Sequence, residues 1–257
     1  MKSNEDQLFQ DLPRGVAISW GKVEAPRRGP KREMDVQTIV ATAIEIADKD
    51  GLAAVSMNRV AAAFGFTAMS LYRYIPSKED LLLLMQDAVC AMVELPVIDD
   101  YEDWRGNMRV YVHASIQVLR DHPWYSDIPI SGIPIMPNIL KMVDWSLRTM
   151  RYLPLNGNEK MAVTLLLSNY ARGCGTLQRD IDRAMLAGVS PESFSGLQYT
   201  QALKLLVKAE QYPDLQPIVM SGIYTEDGQN AEEKIDDMEF GLERILDGIE
   251  QYLNSKQ

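Results

Sequence analysis

Apolar residues along this chain recur at intervals of three and four, and no stretch alternates convincingly as a strand would. Val36, Ile39, Val40, Ala43, Ile44 and Ala47 fall at i, i+3, i+4, i+7, i+8 and i+11, one apolar stripe of an amphipathic helix. Asp50-Gly51-Leu52 stops it, because Gly51 can take the left-handed conformation past a helix end and Leu52 can pack back. Ser56 is suited to N-cap a short second helix carrying Val60, Ala61 and Phe64. Gly65-Phe66 breaks that helix, Thr67 caps a third over 68–74, and Pro76 ends it. Ser77, with Glu79 and Asp80 in the first turn, opens a fourth helix whose apolar side is Leu81, Leu84, Met85, Ala88 and Met92. Further helices are expected at 102–121, 137–152, 158–181, 195–211 and 231–253, divided by His122-Pro123, 128–137, Pro154 to Gly157 and 212–230. The expected fold class is all-α. Residues 1–33 sustain no period and read as a basic, flexible arm.

Composition narrows the class. The 257 residues, 46% hydrophobic and 24% charged, exclude a miniprotein that depends on staples and exclude bulk disorder. Two cysteines, Cys90 and Cys174, are too few for a disulfide framework and form no CxxC pair, so a reducing, cytoplasmic setting is expected. The N-terminus lacks the apolar core of a signal peptide, and no stretch is long and apolar enough to suggest a membrane span.

A net charge of −10 and a pI near 4.8 argue, as a whole-chain average, against a polyanionic partner. The average conceals an asymmetry. Residues 13–78 carry ten basic and six acidic side chains, net +4, whereas 79–257 carry fifteen and twenty-seven, net −12, and 1–12 contribute −2. A basic end on an acidic body suits a chain that meets a polyanion with one end only.

The second and third helices, joined by a turn containing Gly65, make a helix-turn-helix candidate with the first helix packed across them. Leu71 and Ile75 would face in, leaving Ala68, Met69, Tyr72 and Arg73 outside. Small side chains at the start of that helix would allow close approach to base edges, while Tyr72 and Arg73 could reach phosphates or bases.

These residues carry a resemblance. The run from Ile39 to Leu84 resembles the DNA-binding domain of the TetR/AcrR family of transcriptional regulators. It does so through Ala43…Gly51-Leu52…Val55-Ser56, Val60-Ala61, Gly65-Phe66, Ser70-Leu71-Tyr72-Arg73-Tyr74-Ile75 and Ser77-Lys78-Glu79-Asp80-Leu81. The stretch from Trp20-Gly21 to Lys31 also looks like the extension found in the branch related to the tetracycline repressor. The resemblance implies an arm over 1–33, a helix-turn-helix domain over 34–80 and a helical ligand-binding and dimerisation domain over 81–257. Carried over by position, it places Asn58, Ala68, Met69 and Tyr72 near bases, and Ser56 or Met57, Ser70, Arg73, Tyr74 and Lys78 near phosphates. Arg27, Arg28, Lys31 and Arg32 of the arm could follow a minor groove or serve as a solubilising tail.

In the body, Ile235, Met238, Leu242, Ile245 and Ile249 form a seam suited to helix packing, and the stretch 158–181 carries Leu165, Arg172 and Gly175. The resemblance implies that these two helices pair with their symmetry mates in a homodimer that binds a palindromic operator. Trp104, Met108, Tyr111, Trp124, Met142, Trp145 and Tyr170 supply adaptable apolar side chains for a pocket that the family uses for a small-molecule inducer. His113 and His122 are isolated, no spacing suits a metal, and no cofactor motif is present. The expected function is a ligand-responsive repressor rather than an enzyme. The alternatives are an all-α enzyme using the body pocket and a protein-interaction module that has kept the fold.

Overall fold

The computed structural model describes residues 12–23, 34–129, 134–186, 197–222 and 236–256. The described residues form eleven α-helices and two 3-10 turns, with no strand among them. In chain order the helices are α1 (Arg14–Ser19), α2 (Val36–Asp50), α3 (Met57–Ala63), α4 (Ala68–Leu71), α5 (Lys78–Ala91) and α6 (Trp104–Asp121). Then follow α7 (Pro137–Thr149), α8 (Gly157–Leu186), α9 (Leu197–Leu206), α10 (Leu215–Ser221) and α11 (Asp237–Asn254). The 3-10 turns are Leu52–Ala54 and Pro123–Asp127. The chain divides into two compact units, Met1–Thr176 with Gly248–Gln257, and Leu177–Asp247. No helix among the described residues is long and apolar enough to cross a membrane.

The first unit is built around the stripe of α2. Ile39, Val40, Ala43, Ile44 and Ala47 are all buried, together with Val60, Ala61, Leu71, Ile75, Leu81 and Met85. Short helices such as α3 and α4 are marginal alone, so this shared core is what holds them. Their ends are fastened locally. Asp35 accepts from the Thr38 amide at 2.8 Å while the Thr38 hydroxyl accepts from the Asp35 amide at 3.0 Å, a reciprocal cap on α2. Ser56 accepts from the Arg59 amide at 3.2 Å and Ser77 from the Asp80 amide at 2.9 Å. Thr67 stands at the N-cap of α4 in extended backbone, yet its side chain makes no capping bond, unlike the expectation.

α4 also stops at Leu71 instead of running to residue 74. The Leu71 carbonyl accepts from both the Tyr74 and the Ile75 amides, at 2.9 and 3.0 Å, so the backbone tightens there and drives Ile75 into the core.

Part of the region read as an aperiodic arm is helical. α1 lays Val16 and Ala17 into the core against α5. The Gly15 amide donates to the buried Asp80 carboxylate at 2.5 Å, and a β-carbon at position 15 would stand 2.9 Å from the Asp80 carbonyl oxygen, which explains a glycine here. Trp20 then donates from Nε1 to the Ile135 carbonyl at 2.8 Å.

α5 is tied forward to α7 by Asp87, whose carboxylate accepts from the Asn138 amide and from Asn138 Nδ2, both at 2.8 Å, and from the Ile139 amide at 3.2 Å. A carboxylate among the free amides of a helix N-terminus is stabilised by hydrogen bonds and by the helix dipole. Farther along, the Tyr111 and Trp145 rings stack with centroids 6.5 Å apart, Tyr111 Oη bonds Ser168 at 2.9 Å, and buried Ser146 bonds Thr164 at 2.9 Å.

In the second unit α9 and α10 pack on one another, with Val219 buried, and Leu242 and Leu246 of α11 are buried as well. α10 falls inside the stretch 212–230 that reads as a connection.

Candidate nucleic-acid interface

α3 and α4 are joined by a turn in which Gly65 has φ +73°, a conformation that favours glycine. The Ser56 cap fixes the start of α3, and Leu71 and Ile75, both fully buried, fix the rotation of α4 and the turn after it. The opposite side of α4 is consequently turned to solvent. Met69 is 71% exposed and Tyr72 44%, with Arg73 and Asn58 also exposed and Ser70, Tyr74 and Lys78 half-buried. Neither Arg73 nor Lys78 makes an ion pair with any described residue, whereas Arg59, on α3, pairs with Asp50. Unpaired cations beside an exposed phenol and small polar groups form a surface suited to phosphate oxygens and groove edges.

Two expectations about this face need correction. Met57 is 5% exposed and belongs to the head core, because the first residue after the Ser56 cap points inward beside Val60; its side chain is not on the outer face. Ala68 packs partly against the same core. Phe66, expected only as a helix breaker, stands 42% exposed in the turn between α3 and α4. An aromatic residue in a glycine turn between two amphipathic helices was the available signal. Arg27, Arg28, Lys31 and Arg32 lie outside the described residues.

The histidine reading changes too. His122, taken as isolated, meets Asp48 of α2 through Nδ1 at 2.8 Å, and Trp124 donates from Nε1 to the same carboxylate oxygen at 2.5 Å. Trp124, expected at the ligand pocket, is 1% exposed and packs in the core that includes α2. Met108, Tyr111 and Trp145 are buried in the body, with Trp145 donating to the Pro96 carbonyl at 2.8 Å; Trp104, Met142 and Tyr170 are half-buried. Burial pushes the Cys90 thiol up to about 11 and raises the hydroxyls of Tyr111 and Tyr125, so none is an activated nucleophile. No group of metal-ligating side chains occurs among the described residues.

Of the residues expected at a dimer seam, Leu165 is 62% exposed, while Met238 and Ile245 are half-buried. Four others turn inward. The Arg172 guanidinium donates to the Ser126 and Ile128 carbonyls, both at 3.1 Å. A β-carbon on Gly175 would collide with Leu119 at 2.6 Å, so that glycine serves close packing of α8 on α6. Leu242 and Ile249 are buried within the chain.

Such a head, two short helices about a glycine turn on an all-α body, defines a helix-turn-helix regulator. Comparison with known proteins agrees. Residues 39–85 match the model of the bacterial regulatory proteins of the tetR family, and residues 95–253 match the tetracyclin repressor-like C-terminal domain. The HTH-type transcriptional repressor DrrR1 of Streptomyces coeruleorubidus is 30% identical over 252 residues, 96% of this chain and 89% of that protein. Apo ActR from Streptomyces coelicolor superposes with a TM-score of 0.69 at 24% identity, over 88% of this chain and 100% of that one. ActR in complex with actinorhodin gives 0.69 at 25% identity, over 85% and 96%. The chain belongs to the TetR family of transcriptional regulators, ligand-responsive DNA-binding proteins and not enzymes.

Proposed function

We propose that the protein is a homodimeric repressor that reads a palindromic operator with α4 and is released from it by a small molecule bound in the helical body. The observation that carries the DNA-reading part is the orientation of α4: Leu71 and Ile75 are buried, while Met69, Tyr72 and Arg73 face solvent, with Lys78 at the next turn. Asn58, Met69 and Tyr72 are the base-edge candidates. Ser56, Ser70, Arg73, Tyr74 and Lys78 are the phosphate candidates, and Arg27, Arg28, Lys31 and Arg32 of the arm are further DNA-contact candidates. Met69 offers no hydrogen-bonding head, so readout there uses thymine methyl contact and DNA shape.

Dimerisation is supported by exposed apolar side chains on α8: Met161, Leu165 and Leu166 in the first unit, and Leu177, Ile181 and Met185 in the second. Leu165 stays in the proposed seam; Arg172, Gly175, Leu242 and Ile249 leave it. Two-fold pairing would place two copies of α4 about one helical turn of DNA apart. For the inducer, the stacked Tyr111–Trp145 pair supplies an aromatic wall, in keeping with ActR, which is described in complex with actinorhodin and with (S)-DNPA.

The test is footprinting of the purified protein on DNA flanking its own gene across a salt series. A protected palindrome, with affinity falling steeply as salt rises, is the expected result. Absence of any salt-sensitive protection would refute the reading.

A further inference from the structure

A cavity of about 510 Å³ lies at the junction of head and body, where α1, α2, the segment after α4, α5 and the start of α7 converge. Its volume is in the range of small-molecule sites, about 300–1,000 Å³. Ile18, Val40, Ile44, Leu84 and Met92 give it an apolar wall, and Gln37, Arg73 and Tyr74 bring polar ends to it.

The charges around it select a ligand. Asp87 is the acid on the lining, and its oxygens are already engaged by two backbone amides and the Asn138 side chain at the N-terminus of α7. Its negative charge is therefore compensated within the fold. Arg73 is the opposite case: an exposed guanidinium with no hydrogen bond or ion pair to any described residue. Gln37 and Tyr74 likewise have side-chain hydrogen-bonding capacity that no described residue uses. An apolar lining that also carries an unpaired guanidinium and neutral polar groups is complementary to an amphipathic anion. Its hydrocarbon part would lie on the wall, and its carboxylate would take a charge-assisted bond from Arg73.

We propose that this junctional cavity is a second effector site, distinct from the body pocket, for a small apolar carboxylate. Occupation draws Arg73 away from DNA phosphate, so this ligand weakens DNA binding through charge at the reading head, without requiring a change in the spacing of two heads. The competition with DNA rests on the operator reading above; the binding of the carboxylate does not.

Decanoate is the probe, with decanol as its uncharged counterpart, and binding is followed by titration calorimetry on the full chain. Decanoate should bind with one site per chain. It should weaken at least tenfold with Arg73→Gln, while decanol is indifferent to that change. Ala41→Trp, at an exposed position on the cavity rim, should abolish decanoate binding while circular dichroism shows unchanged helix. Decanoate should also weaken binding of the protected operator to the unaltered protein and leave Ala41→Trp unaffected. Equal decanoate affinity in the unaltered protein and Ala41→Trp would overturn the proposal, as would no binding at all. Binding that appears only when residues 24–33 are replaced by a Gly/Ser linker would give the cavity to the chain itself and overturn it too. If decanoate binds as stated but operator affinity does not respond, the site stands and its opposition to DNA falls.

Discussion

Replacing Asp48 by alanine should loosen the join between α2 and the 3-10 turn Pro123–Asp127. One oxygen of Asp48 accepts from Trp124 Nε1 at 2.5 Å and His122 Nδ1 at 2.8 Å. Trp124 is 1% exposed, so its N–H would find no water in the variant, and an unsatisfied buried donor costs about 1–3 kcal/mol. His122 keeps 14% of its side chain exposed, enough to reach water, so its loss is that of an ordinary hydrogen bond, about 0.5–1.5 kcal/mol. About 1.5–4.5 kcal/mol in all should lower the Tm by about 3–18 °C in a chain of this size. Thermal melting by calorimetry measures it, and a cycle with Trp124→Phe isolates the cause, because phenylalanine retains an aromatic ring but has no N–H. In that background Asp48→Ala should cost about 1–3 kcal/mol less, the buried donor being gone already. Equal destabilisation in both backgrounds, or an unchanged Tm, would refute the reasoning.

Gly15→Ala forces a methyl to within 2.9 Å of the Asp80 carbonyl oxygen and 3.1 Å of its α-carbon, both backbone atoms that cannot swing aside. Urea titration should show a loss of about 1–3 kcal/mol; a change below about 0.5 kcal/mol would mean that α1 does not hold its place on α5. Glu159 is held at about 2 against an ordinary 4.5 by hydrogen bonds from Lys256, Tyr252 and the Asn156 amide. The depressed acid contributes stability fully above about pH 4.5, and that contribution fades as pH falls toward 2. Melts between those limits should therefore separate the parent from Glu159→Gln at the upper end and converge at the lower; parallel curves would contradict it. Lys78→Gln should weaken all DNA sequences alike and reduce the salt slope by about 1, whereas Tyr72→Ala should cost about 1–3 kcal/mol on the operator and less on random DNA. Identical profiles for the two variants would contradict the assignment of phosphate and base roles.

Long amphipathic helices and polar caps were readable from the chain because both signals are local. α2 has a complete stripe, and Ser56 and Ser77 stand where capping chemistry demands. α1 was not readable, since six residues hold less than two turns of period and its burial depends on Asp80, sixty-five positions away. α10 was missed because Pro217 reads as a breaker, although a proline in the first turn removes only an amide that has no partner there. Met57 shows the limit at the site itself: motif position brings a residue near DNA, but the cap sets its side chain inward. The Asp48–His122–Trp124 cluster joins residues seventy-four and seventy-six apart and left no local trace.

The core of the reading head is not confined to its own three helices. Met34, Ile39, Val60 and Leu71 share one apolar cluster with Leu81, Leu84 and Met85 of α5, Val16 of α1, and Val118, Trp124 and Met136 of the body. Anyone wishing to retarget such a regulator by exchanging its head would meet this at once. A splice at residue 80, where the motif ends, cuts through the cluster and asks two unrelated surfaces to fit. The transplantable piece is larger: α1 to α5 as one block, with Val118, Trp124 and Met136 of the recipient altered to match the donor.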